Sequence, residues 1–418
     1  MPVATDPEAR PPQIWWANAI FFVGTHLAAA YGIYRRPLST LSRETALLTF
    51  VCWQLACFGI TIGYHRLYSH RAFRAPLGVR VVLAVLGTSA LQGSIKWWCL
   101  RHRLHHRFTD DDKHDPYSAT RGLFFSHVGW IFYKPQYPKI DLIDRADLDR
   151  DPVVRLQHRY FVPLAIFFSF VLPTAIGLLW NDPRGAFIYG GLVARLMTWH
   201  CTFLINSLAH WDGLQPFSDE NTSRTNLILA LLTCGEGNHN FHAFPHDFRS
   251  GPSALDWDPS KWIILALHRL GLATGLRRAR ALDITDARSH MRQKQAHGAP
   301  EEPLAADWDG PTWGVEQVRA YVRAGGNGDG TGNGPACVVL VDGFAVDVTA
   351  YMGEHPGGSA LLRKFAVPAR EPQGGEEKGE GPEWTRATWA FRGGLNNHSL
   401  AARRRMAELR VAQMAVAM

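Results

Sequence analysis

The chain has 418 residues, 46% of them hydrophobic, with 15 tryptophans and 22 phenylalanines, which excludes global disorder and allows two or three domains. The net charge of +7 comes from dispersed lysines and arginines without a recognisable nucleic-acid-binding module, so we expect contact with anionic lipid headgroups and no nucleic-acid partner. The six cysteines include no C-x-x-C pair, which argues against a disulfide framework or zinc ribbon and indicates a reducing, intracellular environment.

Four hydrophobic runs approach the ~20 residues needed to cross a bilayer, at residues 14–34, 45–63, 160–180 and 185–208. The first two contain no charged residue, and Arg195 is the only charge in the fourth. Residues 76–92 are also apolar but form a shorter run that contains Arg80, which predicts a helix at the membrane interface. The sequence therefore predicts a mainly α-helical protein with four membrane spans.

If the four spans pair into two helical hairpins, the tail 1–13, the segment 64–159 and everything after residue 210 lie on the same side of the membrane. Segment 64–159 carries 16 lysines and arginines, whereas the two short opposite loops carry four. Short loops rich in Lys and Arg stay on the cytosolic side of a membrane. We therefore expect both termini to be cytosolic.

Four short histidine motifs follow one another along the predicted cytosolic side: HRLYSH, HRLHH, INSLAH and HNFH, which contain His65, His70, His102, His105, His106, His210, His239 and His242. On a helix, His102, His105 and His106 share one face and could point at one centre. A single HxxHH motif is more often incidental than functional, but four motifs at one bundle mouth favour a metal site. Imidazole ligands suit iron or another transition metal better than calcium or magnesium.

The remaining histidines have no comparable spacing. We expect His26 and His200, which lie within spans, to pack as ordinary polar residues, although an intramembrane histidine is a functional candidate by default. We expect His127 to face solvent or to support the metal site from behind. The Glu-x-x-His repeats of soluble di-iron bundles are absent from the sequence.

The motifs HRLYSH, HRLHHRFTD, NSLAH and GEGNHNFH, interleaved with two hydrophobic hairpins, resemble the integral-membrane acyl-CoA desaturases of the stearoyl-CoA type, closest to the fungal branch. The resemblance covers residues ~14–265 and implies a four-span helical bundle with a cytosolic helical cap that carries a histidine-rich di-iron site. It also implies that O2 is activated to introduce a cis double bond, usually at carbon nine, into a fatty acyl-CoA. A hydrophobic tunnel that excludes water suits this chemistry.

Carried over by resemblance, the iron ligands are the eight histidines named above, and Asn206 reaches iron through a water. The sequence departs from the family at Ala243, where a second adjacent histidine is expected after His242, as though one residue were deleted. His246 could substitute, but Pro245 constrains its approach. The resemblance further assigns contacts with the acyl chain to Trp53, Cys57, Trp97 and Trp98.

Residues 298–312 are rich in proline and acidic residues and predict a linker after a membrane domain at 14–297. Within 313–418, the stretch VVLVDGFAVDV predicts a short strand pair, and the HPGG that follows is by itself most simply a turn. This text resembles cytochrome b5, a small α+β domain, which implies that His355 and His398 bind haem b. Low-complexity tracts at 324–335 and 368–382 interrupt the resemblance.

Together these features predict a desaturase of the endoplasmic reticulum membrane that uses two Fe ions, haem b, O2 and a fatty acyl-CoA, with NADH-cytochrome b5 reductase as the electron source. Two alternatives stay open: a membrane fatty-acid or sphingolipid hydroxylase, and a catalytically weak or silent desaturase homologue. The extended forms of the first two histidine motifs favour the desaturase. The missing ligand and the two inserted tracts keep the silent homologue open.

Overall fold

The computed structural model describes residues 12–298, 308–326, 335–353, 355, 359–370, 383–392, 398 and 400–415. Helices predominate in this part of the chain, and the few strands all follow residue 311. Most of the predicted tail 1–13 and linker 298–312, and most of the two inserted tracts, lie outside the described residues.

The N-terminal half begins with α1 (Trp16–Arg35) and α2 (Arg43–Phe58), which continues directly as a π-helix (Gly59–Ser69). Ser42 caps α2 by accepting a hydrogen bond from the backbone N–H of Thr45. The helices that follow are α3 (Leu77–Ser89), α4 (Ile95–Arg107), α5 (Leu123–His127), α6 (Ala146–Arg150) and α7 (Pro152–Arg159). Short 3-10 turns lie at Leu38–Thr40, Ala119–Arg121, Gly129–Phe132 and Ile140–Leu142.

A second helical hairpin follows. Its first arm is α8 (Phe161–Ile166), a π-helical segment (Phe167–Val171), α9 (Leu172–Gly177) and a 3-10 turn (Leu178–Trp180). Its second arm is α10 (Pro183–Gly185), a π-helical segment (Ala186–Val193), α11 (Ala194–Asn206) and a 3-10 turn (Leu208–His210). Beyond it lie α12 (Leu227–Leu232), a 3-10 turn (His239–Ala243), α13 (Pro259–Arg269) and α14 (Ala281–His297).

Two continuous helical stretches, Arg43–Ser69 and Phe161–Trp180, are long and apolar enough to cross a membrane. Large apolar side chains point outwards on both and on α1, including Ile20, Leu27 and Leu179, the last with 83% of its surface exposed. Such broad exposed apolar surface is typical of contact with lipid or a partner. The main buried core lies around the π-helix Gly59–Ser69 and α4, and α13 packs against it through Ile264.

The C-terminal region is a small α+β unit. Its sheet has the strand order β1-β4-β3-β2, built from β1 (Thr312–Trp313), β2 (Val338–Val341), β3 (Phe344–Asp347) and β4 (Arg410–Met414). β2 and β3 form an antiparallel hairpin in the stretch predicted as a strand pair, and β1 runs parallel to β4. The sheet is accompanied by α15 (Val315–Arg323), α16 (Ser359–Lys364), a 3-10 turn (Glu383–Arg386), α17 (Ala387–Phe391) and α18 (Leu400–Glu408).

Candidate metal centre

Eight histidines from four separate segments converge into two neighbouring groups. The first group has five members, whose ring nitrogens all lie within 4.8 Å of one another: His65, His70, His102, His106 and His242. The second group contains His105, His210 and His239 at the same closeness, and all three are buried. These are the eight histidines that the sequence predicts as iron ligands, and the structure divides them five and three.

The π-helix Gly59–Ser69 brings His65 and His70 to one side. In an α-helix, residues five apart point about 140° away from each other, whereas the wider π turn brings them nearly into line. The backbone N–H of His70 donates to the carbonyl oxygen of His65 at 3.0 Å. As a result the two ring centroids lie only 4.6 Å apart.

Helix α4 supplies one histidine pair to the first group and a single histidine to the second. The three histidines that the sequence places on one helical face are thus divided between the two groups. At 100° per residue, His102 and His106 differ by about 40° in direction, but His105 and His106 differ by about 100°. Adjacent residues on a helix diverge too far to share one metal, so His105 reaches a second centre beside the first.

The nitrogens of the first group are spaced as ligands of one cation. Nε2 of His102 lies 2.9 Å from Nε2 of His70 and 3.1 Å from Nε2 of His106. One ring nitrogen offers either one hydrogen or one lone pair, so it cannot form good hydrogen bonds to both neighbours. Two ligands at right angles around a metal, each with a bond of about 2.1 Å, are separated by roughly 3.0 Å. The spacing therefore fits lone pairs that face a common metal ion.

Hydrogen bonds behind the second group fix which nitrogen of each ring faces inwards. Nδ1 of His105 donates to the buried carboxylate of Asp115 at 2.8 Å, which leaves Nε2 as a lone pair. Thr222 donates its hydroxyl hydrogen to Asp110 and therefore accepts at 2.8 Å from Nδ1 of His210. Nε2 of His210 is buried without a hydrogen-bond partner. Such support behind each ring is typical of metal-binding histidines.

Burial keeps these imidazoles neutral, which is the form that binds metal. Desolvation is the largest cause that lowers the pKa of His70, His102, His106, His210 and His242 well below the ordinary value, with neighbouring histidines adding to it. The pKa of His239 falls to about 3 for the same reasons. Each of these rings can therefore offer a lone pair at neutral pH.

His239 and His242 sit on one 3-10 turn but join different groups, with ring centroids 5.3 Å apart. This turn connects the two centres. Ala243 follows at its end with no ligating atom, and the neighbouring His246 joins neither group. The second group therefore has two histidines fewer than the first.

Both groups border one mostly apolar cavity of about 600 Å³. His65 and His102 of the first group, His239 of the second, and Asn206 at the end of α11 all line it. Of the residues predicted to contact an acyl chain, Cys57, Trp97 and Trp98 line the cavity. Trp53 does not, since it lies one helical turn before Cys57 on α2 and therefore further from the histidines.

Comparisons with known proteins agree with this geometry. The sequence profile of the family "Fatty acid desaturase" matches residues 44–248. A "Probable acyl-CoA desaturase" of Schizosaccharomyces pombe is 36% identical over 407 residues, which cover 95% of this chain and 77% of the relative. The chain belongs to the fatty acid desaturase family.

Other members of the family align over different lengths. "Acyl-CoA desaturase 1" of Saccharomyces cerevisiae is 35% identical over 95% of this chain and 73% of its own length. "Stearoyl-CoA desaturase 5" of Homo sapiens is 36% identical over 64% of this chain and 82% of its own length. The similarity to the two yeast proteins therefore extends into the C-terminal third.

The supporting residues of this desaturase were not found from the sequence. Asp115 and Thr222 lie 10 and 12 positions from the histidines they contact. Glu236 lies 3.4 Å from Nδ1 of His65 and accepts two hydrogen bonds from Arg66. Burial tends to raise the pKa of Glu236, but the charge of Arg66 outweighs this and lowers it to about 2, so the carboxylate stays ionised. The motif GEGNH contained this signal, since a buried acid beside histidines needs a partner.

In the C-terminal unit of the desaturase, the rings of His355 and His398 have centroids 6.2 Å apart and nearly parallel planes, with an angle of 23° between them. Two imidazoles on opposite sides of a haem iron, with Fe–N bonds of about 2.0 Å, have centroids roughly 6 Å apart. Nδ1 of His398 donates to the carbonyl oxygen of Phe391 at 2.9 Å. This spacing suits two residues that would together hold one haem group.

Proposed function

We propose that this protein is an acyl-CoA desaturase that introduces a cis double bond at carbon nine of a saturated fatty acyl-CoA, using O2 and two electrons, in unsaturated fatty acid biosynthesis. The observation that carries the proposal is the pair of histidine groups beside one apolar cavity. Such a cavity can hold an unactivated chain against the oxidant and exclude water. The two yeast relatives that align with 95% of this chain are named acyl-CoA desaturases.

Two iron ions are proposed as the metals. The first iron would be held by the five-histidine group, and the second by His105, His210 and His239. Asn206, which lines the same cavity, would hold a water molecule on the second iron. When bound, the irons supply the O2 activation that protein side chains cannot. The chain's own contribution is to fix the ring tautomers through Asp115 and Thr222 and to keep the imidazoles neutral by burial.

The membrane arrangement proposed is four spans at about 14–34, 45–63, 160–180 and 185–208, with both termini in the cytosol and the endoplasmic reticulum as the membrane. The exposed apolar side chains of α1 support the first span although its mean hydropathy is moderate. The π-helical segment Ala186–Val193 continues directly into α11, so the fourth run is helical as far as Asn206.

Electrons are proposed to arrive through the domain at 313–418, with haem b between His355 and His398 and NADH-cytochrome b5 reductase as the source. Two axial histidines leave electron transfer as the chemistry available to such a haem. Fusion to the membrane domain at 14–297 would raise the effective concentration of the donor.

The experiment is expression of the full chain in yeast that lacks its own desaturase, followed by fatty-acid profiling. The parent is expected to restore growth without added unsaturated fatty acid and to produce double bonds at carbon nine. His105→Ala should abolish product at equal expression. The matched control is His268→Ala, because the ring of His268 bonds to the carbonyl oxygen of Ala273 and belongs to neither histidine group. A parent that yields hydroxylated lipid, or no new lipid, would contradict the proposal.

A further inference from the structure

Three histidines outside the metal centre form a continuous hydrogen-bonded chain. Nε2 of His26 on α1 lies 3.0 Å from Nε2 of His200 on α11, and Nδ1 of His200 lies 3.0 Å from Nε2 of His127 on α5. Nδ1 of His127 lies 2.9 Å from the hydroxyl oxygen of Ser207. His26 and His200, which lie 174 positions apart in the sequence, are therefore in direct contact through their rings.

Both ends of this chain are backbone carbonyl groups, which can only accept. Nδ1 of His26 donates to the carbonyl oxygen of Phe22 at 2.8 Å, and the hydroxyl of Ser207 donates to that of Phe203 at 2.8 Å. Each of the five links needs one hydrogen. Three neutral imidazoles and one hydroxyl supply only four. All five hydrogen bonds of this histidine chain can form only when the chain holds one additional proton, which the three rings then share.

The surroundings oppose such a proton, because no carboxylate among the described residues acts on His200 to pair with it, so it is the count of hydrogen bonds that favours the proton. The titratable groups that act on His200 are His127 and His26, without a carboxylate among them. Burial lowers the pKa of His127, which opposes protonation, while the carbonyl group of Phe203 favours it. The other neighbours are aromatic: the rings of Phe22 and His26 lie 4.5 Å apart, and Trp199 lies 6.4 Å from His26. An aromatic face attracts a nearby cation, which favours a charged ring of His26 beside Phe22.

The position of the chain connects it with the proposed reaction. Phe22, Trp199 and Phe203 line the cavity, and the histidine chain lies directly behind them. Ser207 follows Asn206, which also lines the cavity. On the cavity wall formed by the 3-10 turn Gly129–Phe132, Trp130 packs on Phe203, and the guanidinium of Arg101 lies 4.4 Å from the ring centroid of Trp130.

We propose that His26, His200 and His127 store one proton and release it at the Ser207 end toward the cavity. This rests on the proposed function, because desaturation converts one O2, two electrons, two protons and a CH2–CH2 unit into CH=CH and two water molecules. On release, each link shifts by one hydrogen: a ring nitrogen loses its proton as its other nitrogen gains one. The chain returns to four hydrogens and takes up its next proton from solvent.

His26→Phe is the decisive variant, because it keeps an aromatic ring and removes one end of the chain. The remaining three links, from His200 to the carbonyl group of Phe203, need three hydrogens, and two neutral rings and Ser207 supply three. The extra proton should disappear although both remaining histidines stay bonded. His200→Gln should instead separate His26 from His127. The control is His268→Gln, since a neutral imidazole satisfies the single bond of His268.

The first readout is histidine NMR of the full-length, metal-free protein in detergent between about pH 8 and pH 5. In the parent, the signals of His26 and His127 should shift at one common midpoint, with one proton bound in total. In His200→Gln they should lose that common midpoint, and in His26→Phe the proton should not bind. Separate midpoints in the parent, or a parent-like curve in His26→Phe, would overturn the proton store.

The second readout is product formed per O2 consumed by the iron-loaded protein. His26→Phe should lower it roughly tenfold, less than the ~10²-fold or greater loss expected for a direct proton donor, because water can enter in its place. An unchanged ratio in a variant that has lost the stored proton would overturn the role in the reaction. A parent that shows the common midpoint but forms no unsaturated product would refute the proposed function and leave the store standing.

Discussion

The second histidine group should bind its metal more weakly than the first, and Ala243→His should correct this. The first group offers five imidazoles and the second three. Ala243 ends the 3-10 turn that carries His239 and His242, so a histidine there adds a ligand without changing the length of the chain. Loss of a residue that merely supports a metal ligand costs about 10–100-fold in affinity. A direct ligand should contribute at least as much, or roughly 1.4–2.8 kcal/mol.

The assay is iron per protein after timed exposure to a chelator. The parent should lose one iron quickly and keep the other, whereas Ala243→His should keep both for at least about ten times longer. Ala243→Leu, which adds bulk without a ligand, is the matched control and should behave as the parent or worse. The reasoning would be refuted if the parent held both irons equally tightly and lost one on His246→Ala, since His246 would then be the missing ligand.

Three further outcomes are expected. Asp115→Asn should weaken iron binding by about 10–100-fold at the second group only. An amide can donate to Nδ1 of His105, which would put the hydrogen of the ring on Nε2. Equal loss of iron from both sites in the chelator assay would contradict this. Cys57→Phe should shift the lipid profile toward shorter acyl chains, because the larger side chain projects into the cavity. Trp53→Phe, at a residue that does not line the cavity, should leave the profile unchanged. An unchanged profile for an active Cys57→Phe protein would contradict this prediction. His398→Ala in the full chain should remove the reducible haem spectrum while leaving iron content intact, and a retained six-coordinate spectrum would refute the axial assignment.

The convergence of the histidines was predictable, because four motifs at the same end of four apolar runs have few other uses. Their division was not. Which group His105 and His106 each join depends on the rotation of α4 about its own axis relative to the two groups. That rotation cannot be predicted from the sequence. The alignment of His65 with His70 depends on a π-helix, whose i to i+5 hydrogen bonds leave no simple residue pattern.

Contacts between segments that are distant in the sequence could not be predicted either. The expectation that His26 and His200 pack as ordinary polar residues missed their bond to each other, because only the packing of α1 against α11 brings them together. The strand pair at β2 and β3 was predictable from alternation, and the structure has it at Val338–Val341 and Phe344–Asp347. The pairing of β1 with β4 joins the two ends of the C-terminal unit and has no local signal.

Product analysis with the purified, iron-loaded full chain, stearoyl-CoA, O2 and a chemical reductant would directly test the proposed desaturation. We expect a cis double bond between carbons nine and ten, one for each O2 consumed, and loss of that product in His105→Ala. A hydroxylated chain, or no product from a protein that holds two irons, would contradict it.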